Sequence, residues 1–290
     1  MSTKKEIDSA TGVATTGHVW DDDIKELNMP LPRWWLYTFY ASILWAIGFW
    51  VAYPAWPTIT GYTKGVLNYS ERGNVRRELD NAKQAQAKFR SELEMTPLAE
   101  VRTKPELLRF ATASGAAAFG TNCAPCHGRG AQGSLGYPNL NDDDWLWGGT
   151  IEGIHKTIQF GVRSDHKETH ATQMPRFGAD KLLDGSQVQD AAEYVLSLSS
   201  LSTNAEAAVR GATLFAEQCV ACHGEKGGGN QELGAPNLSD AIWLYGSRRE
   251  DVMQSISTGR GGKMPAWSGR LDDVTIKALA VYVQSLGGAK

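Results

Sequence analysis

Cysteine is scarce in this chain of 290 residues, which has four, all within two short motifs. So few cysteines exclude the dense disulfide framework that stabilises many small secreted domains. Basic residues are not in surplus either, since the net charge is −3, and proteins that bind nucleic acid are usually strongly basic. No run of residues alternates between apolar and polar side chains as a half-buried strand does. We therefore expect no nucleic-acid partner and an all-α fold.

Charged residues are absent between Arg33 and Lys64, and this gap contains the long apolar run Trp34–Tyr53. A helix of this length spans about 30 Å, which matches the hydrocarbon thickness of a bilayer. Tryptophan and tyrosine gather at both ends of the run, where such rings anchor a helix at the two membrane interfaces. The pattern predicts a transmembrane anchor over 34–56, preceded by an N-terminal segment, 1–33.

Two other interpretations of this apolar run fit less well. A helix in the core of a soluble protein is rarely so long and apolar on every side. A signal peptide has a shorter apolar stretch and a cleavage site of small residues, and YPAWP at 53–57 is not such a site. Basic residues flank the run on both sides, so the positive-inside rule leaves its orientation open.

The two cysteine motifs belong to an internal repeat. CAPCHG at 123–128 matches CVACHG at 219–224, and three further pairs of segments match after them. These pairs are PNL at 138–140 and 236–238, WLWG at 145–148 and WLYG at 243–246, and a Met-Pro step at Met174 and Met264. The first copy carries eight extra residues around the stretch SDHKETHA.

Each copy of the repeat opens and closes with apolar residues at helical spacing. The four predicted helices cover, in chain order, 105–122, 186–200, 205–218 and 272–288. We therefore predict two tandem all-α domains, 104–200 and 204–288. A linker, 57–103, joins them to the anchor and contains a polar helix over 74–95.

Cys-x-x-Cys-His is the attachment motif of c-type haem. Two thiols three positions apart reach the two vinyl groups of one porphyrin, and the adjacent histidine reaches its iron. The predicted cofactors are therefore two covalently attached haem c groups. The predicted attachment residues and proximal iron ligands are Cys123, Cys126 and His127 for the first haem, and Cys219, Cys222 and His223 for the second.

Other uses of a Cys-x-x-Cys pair fit this sequence less well. A thioredoxin-like redox pair lies in a βαβ unit, and no strand pattern precedes either motif. Zinc sites separate their two cysteine pairs by about 12–20 residues, whereas 92 residues lie between Cys126 and Cys219. Neither use accounts for a histidine directly after both pairs.

A methionine followed by proline lies at matching places in both repeats. Met174 lies 47 residues after His127, and Met264 lies 41 residues after His223. Histidine and methionine together fill both axial positions of a haem iron, which suits electron transfer rather than oxygen binding. We predict Met174 and Met264 as the second axial ligands. The alternative ligands in the first repeat are three histidines that we expect at the surface, His155, His166 and His170.

Aromatic residues also recur between the repeats, as the pairs Trp145 and Trp243, and Trp147 and Tyr245. Their side chains either pack in the core or contact a haem, and core packing is the simpler expectation. Two arginines near the same turn are candidates for contacts with haem propionates, Arg163 and Arg260.

The two repeats resemble class I cytochrome c domains, in which a helix, Cys-x-x-Cys-His, loops, a methionine ligand and a C-terminal helix follow in this order. The N-terminal third resembles that of the dihaem third subunit of cbb3-type cytochrome c oxidases. This second likeness rests on the blocks PLPRWW at 30–35 and YPAWP at 53–57, which flank one membrane helix.

The resemblance implies a subunit that receives electrons from a donor c-type cytochrome or a quinol-oxidising complex. It would relay them to the catalytic haem–copper subunit, which reduces O2 to water in aerobic or microaerobic respiration, and would have no catalytic site of its own. The resemblance also implies a bacterial inner membrane, a cytoplasmic N-terminus and periplasmic haem domains. The simple assumption is that each methionine serves the haem of its own repeat, although an exchange stays open.

Two other functions stay open at this point. A cytochrome subunit of a periplasmic dehydrogenase would also carry electrons, and only the two N-terminal blocks argue against it. A dihaem cytochrome c peroxidase would need an iron that opens to peroxide and is normally soluble. The predicted anchor and the paired Met-Pro steps therefore disfavour a peroxidase.

Overall fold

The computed structural model describes residues 6–21 and 23–287 of the chain. They form two compact units, one ending at Lys83 and the other beginning at Gln84. The outermost residues of the predicted segments 1–33 and 204–288 lie outside the described residues.

The first unit contains two short antiparallel hairpins, one long helix and the beginning of a second helix. β1 (Thr15–Trp20) pairs with β2 (Ile24–Leu27), and β3 (Pro57–Thr58) pairs with β4 (Gly61–Tyr62). The prediction that no run forms a strand is wrong here, because strands of two to six residues are too short to show a clear alternation. Helices make up the rest of the regular structure in the described residues, so the all-α class is confirmed.

α1 (Arg33–Ala52) is the helix predicted to anchor the chain in a membrane. None of its side chains is buried by the protein, and its apolar side chains are exposed on every side. Within 6–21 and 23–287, it is the one helix long and apolar enough to cross a membrane. It ends four residues before the predicted limit at 56, because Pro54 has no N–H with which to continue the helix.

Two helices precede the repeats. α2 (Glu71–Met95) confirms the predicted polar helix and begins three residues earlier than expected. The short helix α3 (Leu98–Val101) follows it. Leu93 and Val101 are fully buried and belong to the core of the second unit.

The second unit contains the repeats. Its helices are, in chain order, α4 (Pro105–Asn122), α5 (Ala124–His127), α6 (Ile151–Phe160), α7 (Gly185–Leu198), α8 (Ala205–Gln218), α9 (Val220–His223), α10 (Arg249–Thr258) and α11 (Asp273–Ser285). Asp184, Asn204 and Asp272 accept hydrogen bonds from backbone N–H groups in the first turns of α7, α8 and α11, so these helices begin at capped residues. The four helices predicted for the repeats are confirmed to within three residues at each end.

These helices pack across the two repeats rather than within them. α11, which closes the second repeat, packs on α4 and α6 of the first. α7, which closes the first repeat, packs on α8 and α10 of the second. Each hydrophobic core is therefore built from both repeats. The predicted domains, 104–200 and 204–288, correspond to the two repeats in sequence, whereas each packed core combines helices from both repeats.

A glycine lets each exchanged pair of helices approach closely. At Gly115 of α4, an added Cβ would overlap the carbonyl oxygen of Ala278 in α11. At Gly211 of α8, it would overlap the carbonyl oxygen of Asp190 in α7. The two helix crossings are thus equivalent, and each needs a residue without a side chain.

Two aromatic rings complete each of these crossings. Phe119 of α4 packs on Tyr282 of α11, with ring centroids 5.4 Å apart. Phe215 of α8 packs on Tyr194 of α7, with centroids 5.0 Å apart. Both phenylalanines are almost wholly buried. The Gly-x-x-x-Phe pattern recurs in the two opening helices and is the sequence signal for this contact.

A short connection explains why the helices are exchanged. Residues 199–204 alone join α7 to α8, and helices joined by about two to eight residues usually pack against each other. α7 therefore covers α8 of the next repeat. α11, at the end of the chain, covers the corresponding face of α4.

Glu193 of α7 holds this connection in place. Its fully buried carboxylate accepts hydrogen bonds from the Ser202 hydroxyl and from the N–H groups of Thr203 and Asn204. Arg249 of α10 forms an ion pair with it at 2.9 Å. Burial acts to raise the pKa of Glu193, but the hydrogen bonds and the arginine outweigh it, so the pKa lies below its ordinary value. A charged carboxylate thus links α7, the connection and α10.

Candidate haem sites

Both cysteine motifs form one short turn of helix directly after a long helix. α4 ends next to Cys123, and α5 carries Cys126 and His127. The His127 N–H donates to the Cys123 carbonyl oxygen at 2.9 Å, which closes the turn. The second motif, with α9 after α8, repeats this geometry in Cys219, Cys222 and His223.

The four cysteines form no disulfide with one another. Burial raises the pKa of Cys123 and of Cys219 to about 11, and the second thiol of each pair adds to the shift. Burial disfavours the charged thiolate, which gives the shift its direction.

A backbone carbonyl orients each motif histidine. His127 Nδ1 lies 3.0 Å from the Pro138 carbonyl oxygen, and His223 Nδ1 lies 3.0 Å from that of Pro236. A proton on Nδ1 donated to this carbonyl leaves Nε2 with the lone pair that binds iron. Burial lowers the pKa of both histidines, against the effect of this hydrogen bond, so the neutral imidazole is favoured.

These proline carbonyls are a part of the site that sequence reasoning missed. PNL recurs in both repeats, so a signal for it existed, but a backbone oxygen has no residue type that reveals its role. The glycine after each histidine also has a structural reason. Gly128 and Gly224 combine φ of +82° and +75° with extended ψ, a region open almost only to glycine.

The two methionines lie with the opposite motifs. Met264 exchanges two backbone hydrogen bonds of 2.9 Å with Val162, just after α6, and its side chain packs on the core that also contacts Cys123. Met174 packs on the core that also contacts Cys219. This packing favours the exchange of methionine ligands that the sequence left open. Met174 precedes α7 and Met264 precedes α11 in the chain. Each methionine therefore lies near the core on which the following helix packs.

The alternative histidines have partners of other kinds. The His170 ring stacks on Trp147 at 4.2 Å, and its Nε2 lies 3.1 Å from the Thr157 hydroxyl. The His166 ring stacks on Phe160 at 4.7 Å. Both are half-buried, so the expectation that they lie exposed on a loop is wrong. His155 is half-buried on α6, and burial lowers its pKa.

The repeated aromatic residues pack as expected for core residues. Trp145 contacts the core that includes α4, and Trp243 contacts the core that includes α8. Trp147 lies against Gly234, where an added Cβ would overlap its ring. The guanidinium of Arg260 lies over the Tyr245 ring, 4.4 Å from its centroid. Arg163 donates hydrogen bonds to the backbone carbonyl oxygens of Gly262 and Thr172. Arg260 donates one to the hydroxyl oxygen of Ser255.

One buried donor supports a bound group directly. Trp243 Nε1 is buried and has no hydrogen-bond partner among the described residues. A buried N–H without an acceptor is unfavourable, and a haem propionate would supply one. Together with the paired thiols, the oriented imidazoles and the methionine loops, this donor shows that the residues fit haem c.

An acidic cluster lies between the two repeats. Burial raises the pKa of Asp144 to about 6, and the carboxylates of Asp240 and Asp142 add to the shift. Asp144 also lines a small polar cavity of about 170 Å³ together with residues 228–231 and 235–237. The carboxylate of Asp144 is thus held where its charged form is disfavoured.

The titration of Asp144 predicts a pH-dependent stability. The folded protein holds this proton more tightly than the unfolded chain, so Asp144 lowers stability progressively as pH rises from 3.8 to about 6. We expect Asp144→Asn to raise the melting temperature above pH 6 and to leave it unchanged below 3.8. Thermal unfolding of both proteins across this range checks the expectation. A difference between them that is independent of pH would contradict it.

The exposed apolar helix and the two sites of this geometry define a class, the membrane-anchored c-type cytochromes. Comparison with known proteins identifies the family within this class. Residues 12–60 match the family model described as the N-terminal domain of cytochrome oxidase-cbb3, FixP. Residues 110–195 and 206–283 each match the model of cytochrome c oxidase, cbb3-type, subunit III.

Full-length relatives agree with these matches. The chain is 54% identical to the cbb3-type cytochrome c oxidase subunit FixP of Bradyrhizobium sp. (strain ORS 278) and 55% identical to that of Bradyrhizobium diazoefficiens, over all of both chains in each case. It is 50% identical to subunit CcoP of Cereibacter sphaeroides over 95% of each chain. The chain belongs to the family of the third subunit of cbb3-type cytochrome c oxidases. It is a haem c-binding, membrane-anchored electron-transport subunit of such an oxidase complex.

Proposed function

We propose that the chain binds two haem c groups covalently and exchanges their methionine ligands between the repeats. The first haem would be held by Cys123, Cys126, His127 and Met264. The second would be held by Cys219, Cys222, His223 and Met174. The observation that carries the proposal is the packing of each methionine on the core of the opposite cysteine motif.

The residues of the chain would determine the ligation and orientation of each haem. When bound, haem c supplies an iron that changes between the ferric and ferrous states and so carries one electron. The Pro138 and Pro236 carbonyls hold the two imidazoles in one tautomer and orientation. Met264 and Met174 would each give a sulfur ligand to one iron, and ligation by histidine and methionine suits electron transfer rather than O2 binding.

Two protein ligands on each iron would make this chain a relay of electrons. Electrons would enter from a donor c-type cytochrome or a quinol-oxidising complex and leave toward the catalytic haem–copper subunit, where O2 is reduced to water. Support for these partners comes from the relatives, which are named as subunits of cbb3-type oxidases. The chain itself would have no catalytic site.

The same proposal includes an orientation. Haem c is attached on the outer side of the bacterial inner membrane, so the residues after α1 would be periplasmic and the N-terminus cytoplasmic. Support comes from the order of the chain, in which α1 precedes both cysteine motifs.

Purification in a mild detergent tests the proposed function. We expect a haem–copper subunit to co-purify, a pyridine haemochrome assay to count two haem c groups per chain, and the mass of the denatured chain to include both. Cys219→Ala with Cys222→Ala should remove one haem and keep the other. Fewer than two attached haems in the unaltered chain would contradict covalent attachment. A dehydrogenase as the co-purifying partner, or rapid peroxide turnover, would contradict the relay.

A further inference from the structure

The segment that follows α1 exposes apolar side chains. Ile59, in the turn between β3 and β4, is fully exposed, and Val66 and Leu67 are 72% and 61% exposed. No charged residue precedes Lys64 in this segment. Exposed apolar side chains grouped in one short segment suit contact with another molecule or with a membrane.

The backbone of this segment is folded back on the end of α1. The N–H of Val66 donates to the Val51 carbonyl oxygen at 2.9 Å, and that of Leu67 donates to the Ala52 carbonyl oxygen at 3.1 Å. The last turn of a helix leaves such carbonyls without partners. Gly65, at φ +71°, makes the return possible, because a Cβ there would overlap the Ala52 carbonyl.

The hairpin pairs its own polar groups as well. The N–H of Thr63 donates to the Trp56 carbonyl oxygen at 2.8 Å, and the Thr63 hydroxyl accepts from the Trp56 N–H at 3.0 Å. Backbone near the hydrocarbon region must find its partners within the protein, since lipid supplies none. These hydrogen bonds meet part of this requirement although the segment is not helical.

Aromatic rings connect the segment to the helix end. Trp56 packs edge-on against Trp50, with centroids 4.8 Å apart, and Tyr69 packs edge-on against Tyr53 at 5.3 Å. Tryptophan and tyrosine concentrate at the boundary between hydrocarbon and headgroups. The rings therefore place residues 54–69, which we name the collar, at the level of this boundary.

We propose that the collar lies in the interface of the bilayer that α1 spans, with Ile59, Val66 and Leu67 among the upper acyl chains. The occupant of its apolar surface is lipid, because the surface is continuous with a helix whose side chains are exposed on every side. The long side chain of Lys64 would reach from there to the headgroups. The proposal rests on membrane anchoring and not on haem binding.

Spin labelling tests the collar in the full-length protein. Ile59→Cys and Val66→Cys each receive a nitroxide, and the protein is reconstituted in vesicles of phosphatidylcholine and phosphatidylglycerol. Asn81→Cys, at an exposed position of the polar helix α2, is the matched control in water. The collision rates of each label with oxygen, which prefers lipid, and with a water-soluble nickel chelate are then compared. We expect the ratio of oxygen to nickel collisions to be several-fold higher at positions 59 and 66 than at 81.

Two outcomes overturn the proposal. Equal ratios at 59, 66 and 81 would place the collar in water. Labels that are water-accessible in the isolated subunit but protected in the assembled oxidase would show that a neighbouring subunit covers it. Labelling of the unsubstituted chain is a separate control. Reaction of its four cysteines would contradict haem attachment. The signal from these four labels would then be subtracted before the collar signal is interpreted.

Discussion

Replacing Met264 with leucine is expected to remove the sulfur-to-iron absorption band of the haem on Cys123 and Cys126, although Met264 lies in the other repeat. Its side chain packs on the core that includes Cys123, so the loss should affect the first haem alone. The chain has two such haems under the proposed function, and about half of the band intensity should disappear. The potential of the first haem should fall, because methionine ligation raises it.

A background with a single haem shows which of the two is affected. In a chain with Cys123→Ala and Cys126→Ala, only the second haem remains. Adding Met264→Leu to it should leave the band intact, whereas adding Met174→Leu should abolish it. The opposite pattern would mean that each methionine serves the haem of its own repeat.

A side chain at Gly115 is expected to separate α4 from α11. A Cβ at this position would overlap the Ala278 carbonyl and meet the Tyr282 side chain, so the helices would have to move apart. We expect Gly115→Val to lower the free energy of unfolding by about 1–3 kcal/mol, the usual cost of overpacking a core. Loss of the sulfur-to-iron band on heating measures this destabilisation. The first haem should lose its band at a lower temperature than the second.

The same helix offers a matched control. Nothing lies within 4 Å of a Cβ added to Gly120, which is exposed on α4. Gly120→Ala should stabilise the protein by roughly 0.5–1 kcal/mol, because alanine favours the helix. Gly211→Val lies at the equivalent crossing of α8 and α7. It should instead lower the temperature at which the second haem loses its sulfur-to-iron band. Destabilisation of both haems to the same extent by either valine would contradict two separate, exchanged cores.

Local patterns in the sequence predicted most of the elements. The spacing of apolar residues located α4 and α8 to the residue, and the uncharged run located α1, because these signals depend on neighbours in the chain. The two hairpins were missed, since β3 and β4 have two residues each and β1 and β2 have only six and four. Both hairpins are defined mainly by the hydrogen bonds between their backbones, which the residue types do not reveal.

The acceptors and the close contacts of the site were not predictable in the same way. The Pro138 and Pro236 carbonyls orient the histidines with a backbone atom that every residue possesses. Glu193 looks like an ordinary polar residue on a closing helix, and its burial follows only from the folding of 199–204 over it. Sequence spacing contains no information about such contacts.

The amino-acid sequence by itself determined that this protein has one membrane helix and two c-type haem motifs, because each of these depends on residues that are adjacent or one helical turn apart. Which repeat completes which site was decided only by the tertiary structure. The opening helices are alike and so are the closing helices, so either pairing would bury similar surfaces. The short connection between α7 and α8 selects the exchanged pairing, because it brings these two helices together and leaves α11 to pack on α4.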